Sequence, residues 1–486
     1  MPVTSVAFVE FYRQWPGYFC DSFNASFAGA LKAEGHRTKI FKCFQHDDAP
    51  SHLAALERAL LDGGPWDVVV VDRVWSHHLL QAIKRSTGAK HFVVMQWESP
   101  TQWEELRWRI SPISRTSLVD FVNGLGNEES SDLLSIPNLH WRDETGQWHS
   151  PKSHVPLNVA DLFAAPLDLA YETSEVFGLP KEEVNQTRYL VMNMGCPYRT
   201  AKNETGFLEN LELPTLWGDA GCTFCNVGPY ERQTGKERLA LMDRQISALV
   251  PHGHFTKLVV QDEYIFRDLD SLVQCVMRHC EPGVDIMVRA RVAYLESCHD
   301  VLIRALETFK GFGTITPYLV GFENFSDEEL RRYNKGQTAH EGLEAAKKLQ
   351  TLAVEYDNLR LSPSQGFILF GPWTTLDDLV LNLRALKELS FSQFRGSITQ
   401  RKLRLNPDAA LVAKARADNL LIEEYSDAHA DNAAGTGYQA EIPYRFLHPE
   451  VSRIWDLLNG PEGVRGKDEF DRLEEAIRIV QSDASP

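Results

Sequence analysis

The chain lacks several features that define common classes of protein. No apolar run approaches the roughly 20 residues that cross a membrane, although 43% of its 486 residues are hydrophobic. Eight cysteines over this length are too few for the disulfide framework of a secreted domain. The N-terminal stretch MPVTSVAFVEFYRQW contains no basic region or cleavage site of a signal peptide. We therefore expect a cytoplasmic protein with no membrane partner.

Positive charge is also scarce. Fifty Lys and Arg residues stand against 67 Asp and Glu residues, a formal net charge of −17. This balance argues against the phosphate backbone of nucleic acid as the main partner. The length exceeds what one hydrophobic core usually supports, so two or three domains are expected.

Apolar, β-prone runs alternate with helical segments through the first hundred residues. Strands are predicted at residues 6–10, 38–44, 68–72 and 90–95. Helices are predicted at residues 25–34, 52–61 and 76–85. Continuous apolar strands separated by amphipathic helices are typical of a doubly wound parallel sheet, a Rossmann-like α/β fold.

A second alternation of strand and helix begins at Arg188. Six strands are predicted, at 189–194, 256–261, 284–289, 316–322, 366–370 and 396–405. The intervening helices are predicted at 238–249, 268–279, 296–308, 328–349, 376–389 and 408–419. Helical crossovers make the strands parallel. Ligands of such sheets bind at the carboxyl ends of the strands, so residues there are candidates for a site.

Three cysteines lie after the first of these six strands. Cys196 follows the strand directly, and Cys222 and Cys225 form C-T-F-C after 25 intervening residues. Three convergent thiols are suited to iron–sulfur or zinc. A structural zinc site normally takes four ligands, and His252 or His254 could supply the fourth. A four-iron cluster held by three cysteines instead leaves one iron open to a substrate or cofactor.

These cysteines resemble the signature of the radical S-adenosylmethionine (radical SAM) superfamily, C-x3-C-x2-C in a loop after the first strand of a partial (β/α)6 barrel. M-G-C-P-Y resembles the lead-in to the first cysteine, and C-T-F-C-N-V-G resembles the last two. The usual spacing would put the first cysteine at Gly218, so the loop between Cys196 and Cys222 is expanded here.

Further motifs support the resemblance over about residues 1–420. GFENFSDEELRRYNKG, at 321–336, resembles the family's "GiEsgsdevLkrmnKG". GFILFGPWTT, at 366–375, resembles "GfivGfPgET", and RLNPDA, at 404–409, resembles "r.yPgTpl". The resemblance implies a radical SAM barrel in residues 188–420.

The resemblance also implies roles for particular residues. Cys196, Cys222 and Cys225 would bind a [4Fe–4S] cluster, and S-adenosylmethionine would bind through Asp262, Glu263, Arg289 or Arg291, Glu323 and Gly366. In this layout the acidic pair contacts the methionine amine and an arginine forks onto its carboxylate. Glu323 faces the ribose, and Gly366 lets the backbone pass the adenine. Two alternatives stay open: the acidic pair could cap the next helix, and at most one of the two arginines is expected to reach the ligand. No catalytic residue is assigned.

The N-terminal domain resembles the cobalamin-binding domain of the same family. VDFVNGLGNE, at 119–128, resembles "vDfvv.GEGE", and LSIPNLHWRD, at 134–143, resembles the "ipGl.yr..G" hairpin. The chain lacks a D-x-H-x-x-G motif, and Gln96-Trp97-Glu98 replaces the usual Gly-Gly after the fourth strand. The domain could bind cobalamin, or it could be a sheet retained for packing or substrate contacts.

Four regions follow: a cobalamin-binding-like domain at 1–150, a linker at 151–187, the barrel at 188–420, and a C-terminal extension at 421–486. The extension carries helical segments at 451–458 and 470–481 and is expected to cap the substrate site. The family's chemistry implies cleavage of S-adenosylmethionine to a deoxyadenosyl radical. The substrate would be an unactivated carbon of a small metabolite or peptide.

With cobalamin bound, methyl transfer is the first expectation; without it, cyclisation, rearrangement or oxidation. An electron donor such as flavodoxin or ferredoxin is implied as a partner. The expanded cysteine loop favours a different alternative, a non-catalytic zinc-binding or scaffold protein on a decayed barrel.

Overall fold

A computed structural model describes most of the chain. The described residues are 3–12, 22–44, 50–72, 77–95, 106–111, 113–125, 133–155, 158–163, 174–177, 186–193, 195–213, 219–225, 227, 233–394, 398–406, 409–422, 442–461, 463–466 and 468–483. The chain divides into two compact units. Described residues up to 191 and at 233–258 form the first, and those at 192–232, 259–426 and 440–486 form the second.

The first unit contains an eight-stranded sheet and several helices. The strands are β1 (Ser5–Tyr12), β2 (Arg37–Phe44), β3 (Val68–Asp72), β4 (His91–Val94), β5 (Trp108–Ile110), β6 (Leu139–Arg142), β7 (Trp148–His149) and β8 (Ser174–Phe177). The helices before β8 are α1 (Ser22–Ala33), α2 (Pro50–Gly63), α3 (His77–Thr87), α4 (Arg115–Gly124) and α5 (Val159–Leu162). The four strands and three helices expected in the first hundred residues are all present, with ends shifted by a few residues.

The order of this sheet is β7-β6-β5-β4-β3-β1-β2-β8. All pairs from β5 to β8 are parallel, whereas β5–β6 and β6–β7 are antiparallel. The predicted parallel sheet is therefore correct for six strands and wrong for one edge, where the expected hairpin adds two antiparallel strands. Strand β8 lies inside the segment expected to be a linker, and it pairs with β2 from Ile40 to Cys43.

The central strands of this sheet are largely buried. Val68 to Val71 and the facing residues of β1 are fully buried, as expected for strands covered by helices on both faces. The chain order reverses between β1 and β3, which creates the switch point where open α/β sheets bind ligands. Beside it, Glu10 lies 3.9 Å from Lys42 and accepts a hydrogen bond of 3.0 Å from Asn24. Gln96-Trp97-Glu98 lies outside the described residues.

Elements after residue 186 include counterparts of five of the six strands predicted for the barrel. The strands are β9 (Thr187–Val191), β10 (Lys257–Gln261), β11 (Asp285–Val288), β12 (Thr314–Pro317), β13 (Gly321–Glu323) and β14 (Gly366–Phe367). The helices are α6 (Gly235–Leu249), α7 (Leu269–His279), α8 (Val292–Ser297), α9 (His299–Phe309), α10 (Asp327–Arg332), α11 (Ala339–Glu355), α12 (Leu376–Glu388), α13 (Ala410–Ala417), α14 (Pro449–Asn459) and α15 (Glu469–Asp483). Among the described helices, none is long and apolar enough to cross a membrane.

The six-stranded barrel layout is not confirmed in detail, because the described strands after residue 186 form two ladders that a single parallel bridge, between Arg291 and Gly321, joins. A four-stranded sheet has the order β12-β11-β10-β9, and β13 pairs with β14 in a separate parallel ladder. The predicted fourth strand is broken between β12 and β13, where Leu319 has a positive φ of 49°. Residues 398–400 of the predicted sixth strand form a 3-10 turn, and Lys402 makes a single parallel bridge to Phe370.

The helix predicted at 328–349 is instead two helices, α10 and α11. Asn334 has a left-handed φ of 48°, and its N–H bonds to Arg331 O at 3.0 Å. The N–H of Lys335 bonds back to Leu330 O at 2.9 Å, which completes a Schellman motif that ends α10. Thr338 and Glu341 then form a capping box that begins α11. Both signals are local, so the break follows from the sequence YNKGQTAHE.

Three aromatic rings of the C-terminal extension surround one lysine. The ammonium of Lys402 lies 4.6 Å from the ring centre of Tyr444, 4.9 Å from that of Phe446 and 4.8 Å from that of Trp455. Phe370 packs edge-on against Trp455 at 5.2 Å. This cation–π cluster attaches the extension, including α14, to the end of the β14 segment.

We expect Lys402→Leu to lower the free energy of unfolding by about 1–2 kcal/mol, because half-buried cation–π contacts contribute on that order. Chemical denaturation monitored by tryptophan fluorescence measures the change. Lys402→Arg keeps a cation over the rings and should retain most of the stability. Equal losses in the two variants would show that packing of the lysine stem, and not its charge, attaches the extension.

Candidate functional site

The expanded loop between Cys196 and Cys222 is closed at its base. Ala201 and Ala220 form an antiparallel bridge. Around it, Gly221 N–H donates to Thr200 O and Lys202 N–H donates to Asp219 O, both at 2.8 Å. We call residues 200–202 with 219–221 the neck. The neck brings residues 219–221 back beside residues 200–202. The 25 residues between Cys196 and Cys222 therefore form a closed loop and do not separate the two cysteines.

The end of α10 holds the neck from outside. The side-chain amide of Asn334 donates to Thr200 O at 3.2 Å, to Ala201 O at 3.1 Å and to Gly221 O at 2.9 Å. These acceptors come from both sides of the neck, so one amide joins its two strands. Thr223, between the last two cysteines, is fully buried and bonds through N–H to Tyr333 O at 3.0 Å. The cysteine loop is thus fixed to the motif at 321–336.

The three thiols share one electrostatic environment. Burial, with a smaller contribution from the negative charges of Cys222 and Cys196, raises the pKa of Cys225 to about 12. Burial also raises the pKa of Cys196, where Glu263 and Cys222 act in the same direction and Arg291 opposes them. The three sulfurs nevertheless do not all lie within 4.8 Å of one another. They converge, but less closely than ligands that share one ion.

Arg291 lies against this group of thiols. Its Nη1 donates to Cys222 Sγ at 3.3 Å, and its Nη2 donates to the main-chain oxygen of Lys335. The guanidinium stacks on Tyr198, with 3.9 Å from Cζ to the ring centre. Gly336, at φ 65°, leaves room for that ring, since a Cβ there would stand 2.5 Å from the tyrosine oxygen.

Glu323 and Gly366 lie side by side at the ends of β13 and β14. Glu323 accepts from Lys335 Nζ at 2.8 Å in a largely buried ion pair. A Cβ added to Gly366 would lie 3.3 Å from the Glu323 carboxylate, and one added to Gly321 would lie 2.5 Å from Lys335 Nζ. Glycine at both positions therefore makes room for the ion pair.

The two acidic residues after β10 lie in different environments. Asp262 is almost fully buried and accepts from Tyr264 N–H at 2.7 Å in a local turn, but it does not cap the following 3-10 helix, whose N-cap is Tyr264. Glu263 is half-buried and lies 3.7 Å from Arg289 Nη1. Arg289 also donates through Nε to Tyr318 Oη at 2.9 Å. The two arginines face different partners, although residues two apart in a strand point to the same face; both follow Val288, the last residue of β11, where the strand has ended.

Sequence reasoning missed several residues that complete the site. Tyr198, Asn334 and Lys335 were inside the quoted motifs, but no role was assigned to them. Lys202 is buried in the neck, where burial lowers its pKa and the thiolates of Cys225 and Cys222 act to raise it. The N-K-G ending of the 321–336 motif was the available signal for Asn334 and Lys335.

The remaining described cysteines lie apart from this trio in the sequence. Cys43, Cys275 and Cys298 are buried and Cys280 is half-buried, and burial raises the pKa of Cys280 to about 11. Cys275 lies in α7 and Cys280 directly after it, as expected for cysteines that serve helix packing.

Comparison with known proteins finds structures that share this fold. No protein-family model matches the chain, and no curated protein sequence matches it. The structure is similar to that of the radical S-adenosylmethionine methyltransferase TsrM from Kitasatospora setae with tryptophan substrate and the SAM analogue aza-SAM bound. The TM-score is 0.58 at 12% sequence identity, over 99% of this chain and 95% of that chain.

A second structure of TsrM from the same organism, with cobalamin and a [4Fe–4S] cluster bound, gives a TM-score of 0.56 at 12% identity. That match covers 99% of this chain and all of the other. The chain therefore shares its fold with these TsrM structures over 99% of its length. The resemblance inferred from its motifs is confirmed at the level of the fold.

We expect Asn334→Gly to weaken metal loading, because glycine keeps the left-handed backbone but removes the amide that joins the two sides of the neck. Iron bound per chain after anaerobic reconstitution, and the absorbance near 400 nm, should both fall severalfold. Asn419→Gly is the matched control, since Asn419 occupies the same left-handed position (φ 56°) after α13. A loss of iron as large in the Asn419 variant would show a general folding effect.

Proposed function

We propose that this chain is a radical SAM enzyme. It binds a [4Fe–4S] cluster through Cys196, Cys222 and Cys225 and modifies an unactivated carbon of a small metabolite or peptide. The observation that carries the proposal is the closed neck, which brings three thiols together within the fold of a radical SAM methyltransferase. The expanded spacing, which favoured a decayed barrel, is accommodated by that neck.

The donor set fits an iron–sulfur cluster. Thiolates are soft ligands, and in a cluster each cysteine binds a different iron. Ligands of one zinc ion all lie about 2.3 Å from the same metal, which brings their sulfurs close together. The sulfurs of Cys196, Cys222 and Cys225 are spaced more widely than 4.8 Å in at least one pair. His254, one of the two histidines considered as a fourth zinc ligand, has an exposed side chain.

The residues at the strand ends would bind S-adenosylmethionine. Glu263 and Asp262 are suited to its amine and Arg289 to its carboxylate, because a guanidinium pairs with a carboxylate in a forked geometry. Glu323 and Gly366 adjoin each other, as contacts to ribose and adenine require. When bound, cluster and S-adenosylmethionine supply the electron transfer and the radical or methyl chemistry. The protein orients the substrate and excludes water.

The first sheet would bind cobalamin at its switch point between β1 and β3, which makes methyl transfer the first candidate reaction. The likeness to TsrM with cobalamin bound supports this assignment. The small-molecule substrate of TsrM, tryptophan, supports a small metabolite as the methyl acceptor. We further propose the functional regions 1–150, 151–187, 188–420 and 421–486, a flavodoxin or ferredoxin as the electron donor, and a cytoplasmic location.

Anaerobic reconstitution with iron and sulfide should give a shoulder near 400 nm and about four irons per chain, as cysteine-bound cubes do. Cys196→Ala should abolish both signals, since it removes one of three ligands. Cys280→Ala is the matched control, a half-buried cysteine outside the trio, and should load normally. One zinc per chain, with no conversion of S-adenosylmethionine to deoxyadenosine or S-adenosylhomocysteine, would instead support the non-catalytic metal-binding alternative.

Titration with hydroxocobalamin should give a stoichiometric complex that survives gel filtration. The Cys196→Ala variant should bind it equally well, because the thiols are not part of the first sheet. Failure of the wild-type chain to retain cobalamin, with the cluster loaded, would exclude cobalamin-dependent methyl transfer. It would leave the other radical reactions open.

A further inference from the structure

The guanidinium of Arg291 is fixed on three sides. One nitrogen donates to Cys222 Sγ at 3.3 Å, the other donates to the main chain at Lys335, and Tyr198 covers one face at 3.9 Å. The residue is only 5% exposed. The side chain cannot move away from Cys222 without losing its other two contacts. The fold therefore fixes the N–H···S hydrogen bond.

The neighbouring cationic side chains have different partners. Lys335 is paired with Glu323 at 2.8 Å, which offsets its charge. Arg289 faces Glu263 and Tyr318. The guanidinium of Arg291, in contrast, directs one N–H to the cysteine sulfur and has a main-chain oxygen as its other acceptor. A buried positive charge is thus held against one ligand of the proposed cluster.

Positive charge and N–H···S bonds stabilise the more negative state of an iron–sulfur cluster. Reduction adds one electron to a centre that already carries three thiolates, and the gain from a nearby cation is larger when water is excluded. Net charge, hydrogen bonds to sulfur and solvent exposure are the factors that set cluster potentials. Arg291 contributes to the first two and is itself buried.

We infer that Arg291 is a positioning residue that raises the reduction potential of the cluster through Cys222, and that it is not a ligand of the methionine carboxylate. This inference rests on the proposed function, because it requires the cluster. It leaves the carboxylate to Arg289, which is more exposed and lies next to the proposed amine-binding Glu263 at 3.7 Å.

The test is a redox titration of the reconstituted protein, with the reduced cluster measured by electron paramagnetic resonance. Arg291→Met should shift the midpoint to a more negative potential. We expect the ratio of reduced to oxidised cluster at fixed potential to fall at least tenfold, or about 59 mV for a one-electron couple. Arg289→Met is the matched control; it removes the same charge two residues away and should shift the midpoint much less.

Two further variants separate charge from folding. Arg291→Lys keeps the charge, and Arg291→Gln keeps an N–H donor without it, so the Lys variant should have the higher potential of the two. If Arg291→Met fails to load iron, the difference in midpoint potential between Arg291→Lys and Arg291→Gln tests the inference instead. The binding constant of S-adenosylmethionine provides a second measurement, which should weaken more in Arg289→Met than in Arg291→Met.

The outcomes distinguish the inference from the proposed function. Failure of the wild-type protein to load a cluster would remove the proposed function. A loaded cluster with an unchanged midpoint in the Arg291 variants would overturn the inference alone. A large loss of S-adenosylmethionine binding in Arg291→Met at unchanged potential would return Arg291 to the role of carboxylate ligand.

Discussion

The candidate site depends on the closure of one long loop. Bringing Cys196 to Cys222 across 25 residues loses chain entropy, although that loss grows only slowly with loop length. The hydrogen bonds of the neck and the amide of Asn334 oppose it. Within the loop, Leu208 is buried in the hydrophobic core and Phe207 packs edge-on against Trp373 at 5.0 Å, so packing of the loop also favours closure.

The motif at 321–336 acts mainly as the support of that closure. Arg332 joins Glu329 at 3.0 Å and Asp378 at 3.2 Å in a buried network, and Ser326 bonds to Asp378. Buried charges are tolerated only when they are paired, so this network fixes the position of α10 against α12. The same segment then presents Asn334 to the neck and Lys335 to Glu323. Much of the motif at 321–336 therefore stabilises the fold.

Local patterns determined much of the fold in advance. Apolar runs such as Val68–Val71 indicated buried parallel strands, because only strands covered on both faces lack polar positions. The three thiols, the acidic pair after β10 and the glycine of β14 were recognisable because their chemistry is carried by residue type and by position after a strand. The errors concern irregular structure: the break at Leu319, the 3-10 turn at 398–400 and the pairing of β8 are decided by neighbours distant in sequence.

By itself, therefore, the sequence determined the α/β class, the position of three cysteines after one strand and the order of the strand-end residues. Only the tertiary structure decided that the neck closes, that Asn334 spans it and that Arg291 faces Cys222 while Arg289 faces Glu263. The physical reason is the separation along the chain between the residues that interact. Residue type and spacing fix local conformation and burial, but the partner of a side chain depends on segments that approach only when the whole chain has folded.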